Sequence, residues 1–257
     1  MINLCNDGGV YTLTMNNDAN TICIDWQAQM LEALNEMENN SGKGTALVMT
    51  GEGKFFSNGI NIDAMNKLDQ AELKNFAKTM FEIHRRMMVL PFPTVAAING
   101  HAFACGAFLA MSLDYRIMRE DRGWICISEV DAGVPIPAPM MDILHAKLPP
   151  ATARDAVLTG KRYTANEAIV AGFVDNKTTS ETLLDKSVEL ATTLVSKVLA
   201  CYRPLTRDGF GAEATVTAIL ISVCAERLSA IEIQPGALQY REYRCIQSPT
   251  RAPGLLR

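Results

Sequence analysis

Two short runs, the continuously apolar Ala46-Leu47-Val48-Met49 and Thr94-Val95-Ala96-Ala97-Ile98, apolar after its first residue, constrain this chain more than any other feature. Four or five residues without polar alternation read as strands buried on both faces, the mark of a parallel sheet covered by helices. Between them Leu73, Phe76, Met80, Ile83 and Met87 recur at steps of 3, 4, 3 and 4, which predicts an amphipathic helix ended by Pro91 and Pro93. Residues 10–15 alternate as a strand, and Asn16-Asn17-Asp18 closes it. Asp25 is then expected to cap a helix carrying Trp26, Met30, Leu34 and Met37 on one side. The order strand, helix, strand, helix places the chain in the α/β class.

Further along, residues 115–118 and 124–127 predict a hairpin around Glu120-Asp121-Arg122-Gly123. Beyond residue 139 the pattern is almost wholly helical. Pro149-Pro150 opens a helix over 151–158, Thr164 and Glu167 form a capping box, and Gly172 ends the helix they start. Longer helices are expected over 182–200 and 211–228.

With 257 residues and 48% apolar content the chain can bury a sizeable core. A net charge of −4 and a pI of about 5.5 argue against nucleic acid and anionic membranes as partners. No apolar run reaches the roughly 18 residues of a membrane span. The seven cysteines form no CxxC pair and no metal-ligand spacing, so free thiols in a reducing, cytoplasmic setting are expected, with no metal site.

Two segments carry candidate chemistry. Phe55-Phe56-Ser57-Asn58-Gly59-Ile60-Asn61 follows a buried strand, at the sheet edge where α/β proteins bind ligands. Gly59 lets the backbone turn so that the Ile60 N–H points into a cleft. In Ala96-Ala97-Ile98-Asn99-Gly100-His101-Ala102-Phe103-Ala104-Cys105-Gly106 a strand runs through a sharp turn into a helix starting near Cys105. The first N–H groups of that helix are free and reinforced by its dipole. Two such donors converging on one carbonyl oxygen stabilise an enolate or a tetrahedral anion.

These segments resemble the crotonase (enoyl-CoA hydratase/isomerase) superfamily, whose signatures read F-x-x-G-x-D-(I/L) and A-x-x-N-G-x-A-x-G-G-G. A third signature is matched by Leu158-Thr159-Gly160, Thr164-Ala165-Asn166-Glu167-Ala168 and Gly172-Phe173-Val174, and Asp114-Tyr115-Arg116 matches the family's D-x-R strand. The resemblance covers roughly residues 5 to 200. It implies a ββα spiral core over residues 1–200 with the acyl-CoA site, and a C-terminal helical region over 201–257 that covers the site and mediates trimer or hexamer formation. It implies an acyl-CoA thioester as substrate, with coenzyme A part of that substrate and no separate cofactor. By the same resemblance the oxyanion donors are the backbone N–H groups of Ile60 and Cys105, with Ser57, Asn58, Gly59 and Phe108 contacting substrate; the stiff apolar run holding Pro135 is expected either to wall the acyl pocket or to serve as a rigid connection to the next helix. The sequence departs from the pattern at Ala104 and Cys105, where glycines are usual, at Asn61 in place of aspartate, and at Asp63 in place of a phosphate-binding lysine.

Hydratases of the family carry one glutamate three residues after the second donor and another beyond the following strands. Phe108 occupies the first position; Glu129, 21 residues on, matches the second. Hydration needs a positioned and activated water, usually held by a carboxylate pair. Moving a double bond from C3=C4 to C2=C3 needs one group that takes a C2 proton and returns it at C4. Met111-Ser112-Leu113-Asp114-Tyr115, Asp121-Arg122-Gly123 and Ser128-Glu129-Val130-Asp131 further resemble the monofunctional Δ3,Δ2-enoyl-CoA isomerases of plant type. The expected reaction is therefore isomerisation with Glu129 as proton shuttle. A hydratase or other acyl-CoA enzyme of this fold, and a non-catalytic acyl-CoA-binding homologue, stand as alternatives. Asp131 is the rival carboxylate, because strand spacing would set it on the face of Glu129. His84, beside Arg85 and Arg86, is expected to face solvent, His101 to pack behind its loop, and His145 to sit in a helix.

Overall fold

The computed structural model describes residues 1–42 and 44–201. The chain opens with β1 (Ile2–Asp7), β2 (Val10–Met15) and β3 (Thr21–Ile22), then α1 (Ile24–Asn39). Strands β4 (Ala46–Gly51), β5 (Phe55–Ser57) and β6 (Gly59–Ile60) lead into α2 (Ile62–Met65) and α3 (Gln70–Met88). Next come β7 (Thr94–Ile98), β8 (His101–Phe103), α4 (Cys105–Met111), β9 (Tyr115–Arg119) and β10 (Ile125–Cys126). Helices α5 (Glu129–Ala132), α6 (Ala138–Lys147), α7 (Pro150–Thr159) and α8 (Ala165–Ala171), strand β11 (Asn176–Thr178) and α9 (Leu183–Cys201) complete it.

Six strands form the main sheet in the order β1-β2-β4-β7-β9-β11, antiparallel only between β1 and β2. The apolar runs are buried on both faces, as their composition demands. Leu47, Met49, Ala96, Ile98 and Met118 face the principal core, while Ala46, Val48, Val95, Ala97 and Ile117 meet Leu183 and Ala191 of α9. Each large apolar side chain fully buried there contributes about 1.5–3 kcal/mol. A second sheet, β10-β8-β5, and the pair β3-β6 stand apart from the first and carry the loops of interest.

The D-x-R pair is architectural. Asp114 Oδ2 accepts hydrogen bonds from the N–H and hydroxyl of Thr94, both at 2.9 Å, tying β9 to β7. The buried Arg116 donates to Phe173 O at 2.7 Å and pairs with Asp175 at 3.0 Å, so the third signature is clamped to the sheet. Thr164 and Glu167 form the capping box, and Gly172 ends α8 in the left-handed conformation.

Two local expectations are corrected. Helix α1 is capped by Cys23 without a side-chain bond, and Asp25 lies in the first turn, where its charge still suits the helix dipole. Residues 115–127 make no hairpin: β9 pairs in parallel with β7 in the main sheet, and β10 pairs in parallel with β8 in the second. Gly123 explains the crossing, since a Cβ there would lie 2.8 Å from the Gly100 carbonyl carbon, so the chain passes tightly over Gly100 instead of folding back. The predicted helix at 211–228 and the region 201–257 as a unit lie outside the described residues. Among the described residues no helix is long and apolar enough to cross a membrane.

Candidate active site

The loop from β5 to β6 is braced from below. Ser57 Oγ donates to Asn20 O at 2.7 Å and accepts from the Gly59 N–H at 3.2 Å. Asn20 Nδ2 donates to Phe55 O at 2.8 Å, and the Asn58 N–H reaches Ala19 O at 3.0 Å. Ser57 is fully buried, and its hydroxyl is engaged in supporting the loop. Asn58 is exposed. Asn61 takes over the aspartate's place by capping α2, its Oδ1 accepting from the Ala64 N–H at 2.9 Å; either residue type serves at an N-cap.

Gly59 has φ +81°, and a Cβ built on it would lie 3.3 Å from Ala104 Cβ and 3.4 Å from the Cys105 N atom. The two motif segments therefore touch at this glycine. β6 pairs in parallel with β3, and the Asn61 N–H donates to Ile22 O at 2.9 Å. β6 also packs against α4. Helix α4 begins at Cys105, whose N–H is among those left without intrahelical partners. Gly106 lets α4 sit directly on β5, because a Cβ there would lie 2.3 Å from Ser57 O. Ala104 enters the helix at φ +49°, ψ −124°, a conformation that L residues rarely adopt and that stores about 1–3 kcal/mol of strain.

Glu129 is the first residue of α5, following directly on the second sheet. Its Oε2 is buried with no hydrogen-bond partner. Burial pushes its carboxyl up to about 7, and only its own backbone N–H opposes the shift. Burial and then the charge of Glu129 push the Cys105 thiol up, which sets the carboxylate within electrostatic reach of the α4 N-terminus. Asp131 does not share this environment. Residues 129–132 are helical rather than extended, so positions two apart face nearly opposite ways, and Asp131 lies against Gly160 at the end of α7. Phe108 is buried within α4. Pro135 is exposed in the link between α5 and α6.

A family model described as enoyl-CoA hydratase/isomerase matches residues 6–240. The chain belongs to this, the crotonase, family. It is similar to enoyl-CoA delta isomerase 3 of Arabidopsis thaliana, with 34% identity over 197 residues, 74% of this chain and 83% of that protein. It is also similar to the peroxisomal enoyl-CoA delta isomerase 2 of the same plant, with 35% identity over 199 residues and the same coverage. The structure of an enoyl-CoA hydratase from Mycobacterium marinum shares the fold, with a TM-score of 0.75, 23% identity, and 89% and 98% of the two chains covered. The described core is thus the crotonase α/β fold, and the Ala104-Cys105 variation occurs within it.

Around this crotonase site the histidines divide. His101 packs among Phe55, Phe103 and Trp124, with ring centroids at 5.3, 5.0 and 4.9 Å, behind the loop as expected. His145 is exposed on α6. His84 is buried rather than solvent-facing. Its flanking arginines conceal the signal, yet Phe76, Met80, His84 and Met87 are spaced 4, 4 and 3 apart and belong to one stripe of α3. Its Nδ1 lies 2.8 Å from Ser112 Oγ and its Nε2 lies 3.7 Å from Cys105 Sγ, directly behind the start of α4. Among the described residues no group of three or more His, Cys, Asp or Glu side chains is arranged to hold a metal ion.

Proposed function

We propose that this chain is a Δ3,Δ2-enoyl-CoA isomerase in which Glu129 alone shuttles the proton. The observation that carries this reading is the half-buried Glu129, whose Oε2 is buried without a partner and whose carboxyl is pushed up to about 7, with the apolar Phe108 where a hydratase carries its other carboxylate. The thioester oxygen accepts hydrogen bonds from the Ile60 and Cys105 N–H groups. Ionised Glu129 removes a proton from C2, and the electron pair of that C–H bond delocalises through C1 onto the thioester oxygen. As the resulting dienolate collapses, the C1=O bond reforms, the double bond settles at C2=C3, and C4 takes the proton back from Glu129. The glutamate ends as it began and no other reactant is consumed.

The raised carboxyl suits both halves of this cycle. A group poised near neutral pH is a competent base in one step and a competent acid in the next. Each oxyanion donor is worth about 10²–10³ in rate, so two donors and one shuttle form a sufficient apparatus. The resemblance to two plant delta isomerases supports the same choice. Incubation of the protein with 3-hexenoyl-CoA tests it. Growth of the conjugated thioester absorbance is expected; a protein that hydrates 2-hexenoyl-CoA but leaves the 3-enoyl isomer untouched overturns the proposal.

A further inference from the structure

We propose that His84 is a positioning residue for the second oxyanion donor, holding α4 at both ends through Cys105 and Ser112. The inference rests on the reading of the Cys105 N–H as that donor. Cys105 is the first residue of α4 and Ser112 its C-cap. They are seven residues apart, two helical turns, and so lie on one face of the helix. His84 comes from α3 and reaches both, Ser112 Oγ at 2.8 Å and Cys105 Sγ at 3.7 Å.

The hydrogen-bond directions follow from counting protons. Ser112 Oγ donates its one proton to Phe108 O at 2.9 Å. It must therefore accept from His84, which fixes the ring as the Nδ1–H tautomer. Nε2 is then a bare lone pair facing Cys105, and the thiol donates to it. The direction of protonation agrees: burial lowers His84 to about 4 and pushes the Cys105 thiol up, so both stay neutral and no thiolate–imidazolium pair forms. The contact is therefore read as a neutral strut. The strut is needed here because the usual pair of glycines is replaced: Ala104 holds a strained φ and Cys105 brings a side chain that must be accommodated behind the donor.

The test reads the carbonyl itself. Infrared spectra of carbonyl-13C-labelled 2-hexenoyl-CoA, free and bound at saturation, are compared for the native protein, His84→Leu, Cys105→Ala (which keeps the backbone N–H) and the double variant. In the native protein the thioester stretch is expected to fall on binding, and in His84→Leu part of that fall is lost. The isomerase kcat drops about 5–30-fold with KM nearly unchanged, less than the ~10²–10³ of a missing donor. The double variant is expected to be no slower than His84→Leu alone, because the Cys105 thiol acts only through His84 and its removal adds nothing once His84 is gone. If His84→Leu gives no cooperative melt, His84→Gln, which keeps an acceptor towards Cys105, carries the comparison and is expected to retain more of the fall than Cys105→Ala. A stretch and kcat unchanged in the single variants, or effects that multiply in the double, overturn the role of His84. A native protein with no fall on binding overturns instead the assignment of the Ile60 and Cys105 donors, and the strut with it.

Discussion

Replacing Glu129 by Gln is expected to remove activity and to shift the stability difference in favour of the variant as pH rises. The ordinary glutamate value is 4.5 and burial raises it to about 7 in the folded state. Below 4.5 both folded and unfolded states hold the proton and burial of the neutral group costs little. Between 4.5 and 7 the folded state binds more protons than the unfolded, so native stability falls as pH rises, and above 7 the full penalty of a buried carboxylate is present. At about 1.4 kcal/mol per pH unit the penalty reaches ~3 kcal/mol. The buried amide of Gln leaves hydrogen-bonding groups unpaired at a cost of about 1–3 kcal/mol, but that cost does not change with pH. The difference in stability between variant and native protein should therefore move by up to ~3 kcal/mol in favour of Gln between pH 5 and pH 8. For a chain of this size that is a relative gain in Tm of about 6–10 °C. Thermal melts of both proteins across this range measure it. A difference independent of pH, or one that moves in favour of Glu as pH rises, would refute the reasoning, because it would mean that the carboxylate is solvated or paired in the folded state.

Other expectations follow from the same geometry. The kcat/KM for isomerisation should rise with pH through about 7 as Glu129 ionises, and a profile flat from pH 5 to 8 would contradict its role as base. Gly106→Ala should cost ~3 kcal/mol or prevent folding, since its Cβ would meet Ser57 O at 2.3 Å; urea denaturation of a variant as stable as the native chain would contradict the close packing of α4 on β5. Ala104→Gly should stabilise by ~1 kcal/mol, the released strain exceeding the added backbone entropy, and a loss of stability in the same assay would count against strain there. Asp131→Asn should change kcat by less than about 2-fold, because Asp131 faces Gly160 rather than the site; a loss comparable to that of Glu129→Gln would reinstate it as a second acid.

The sheet was legible because unbroken apolar strands leave few alternatives: residues 46–49 and 94–98 lie in β4 and β7, paired in parallel and covered on both faces. The capping box of α8 and the stripe of α3 were equally plain, since each is a local pattern with a local cause. What was not legible depended on contacts far apart in sequence. Residues 115–127 have hairpin composition, but the fit of Gly123 over Gly100 sends β10 to a different sheet. Ser57 carries a hydroxyl next to the site, yet Asn20, distant in sequence, captures it. Asp131 fits the face of Glu129 only in a strand; in the four-residue helix α5 positions two apart face nearly opposite ways. His84 was concealed by the charge of Arg85 and Arg86, although its spacing from Phe76 and Met80 placed it on the buried stripe.

The proposed isomerisation turns on one carboxylate carrying one proton from C2 to C4. The most direct measurement is a turnover of 3-hexenoyl-CoA deuterated at C2, with the product analysed by mass spectrometry for deuterium at C4. Shuttling by Glu129 in a buried site predicts that a substantial share of the product carries the label at C4. Conjugated product with no deuterium at C4 under single-turnover conditions, its C4 hydrogen drawn wholly from solvent, would contradict it.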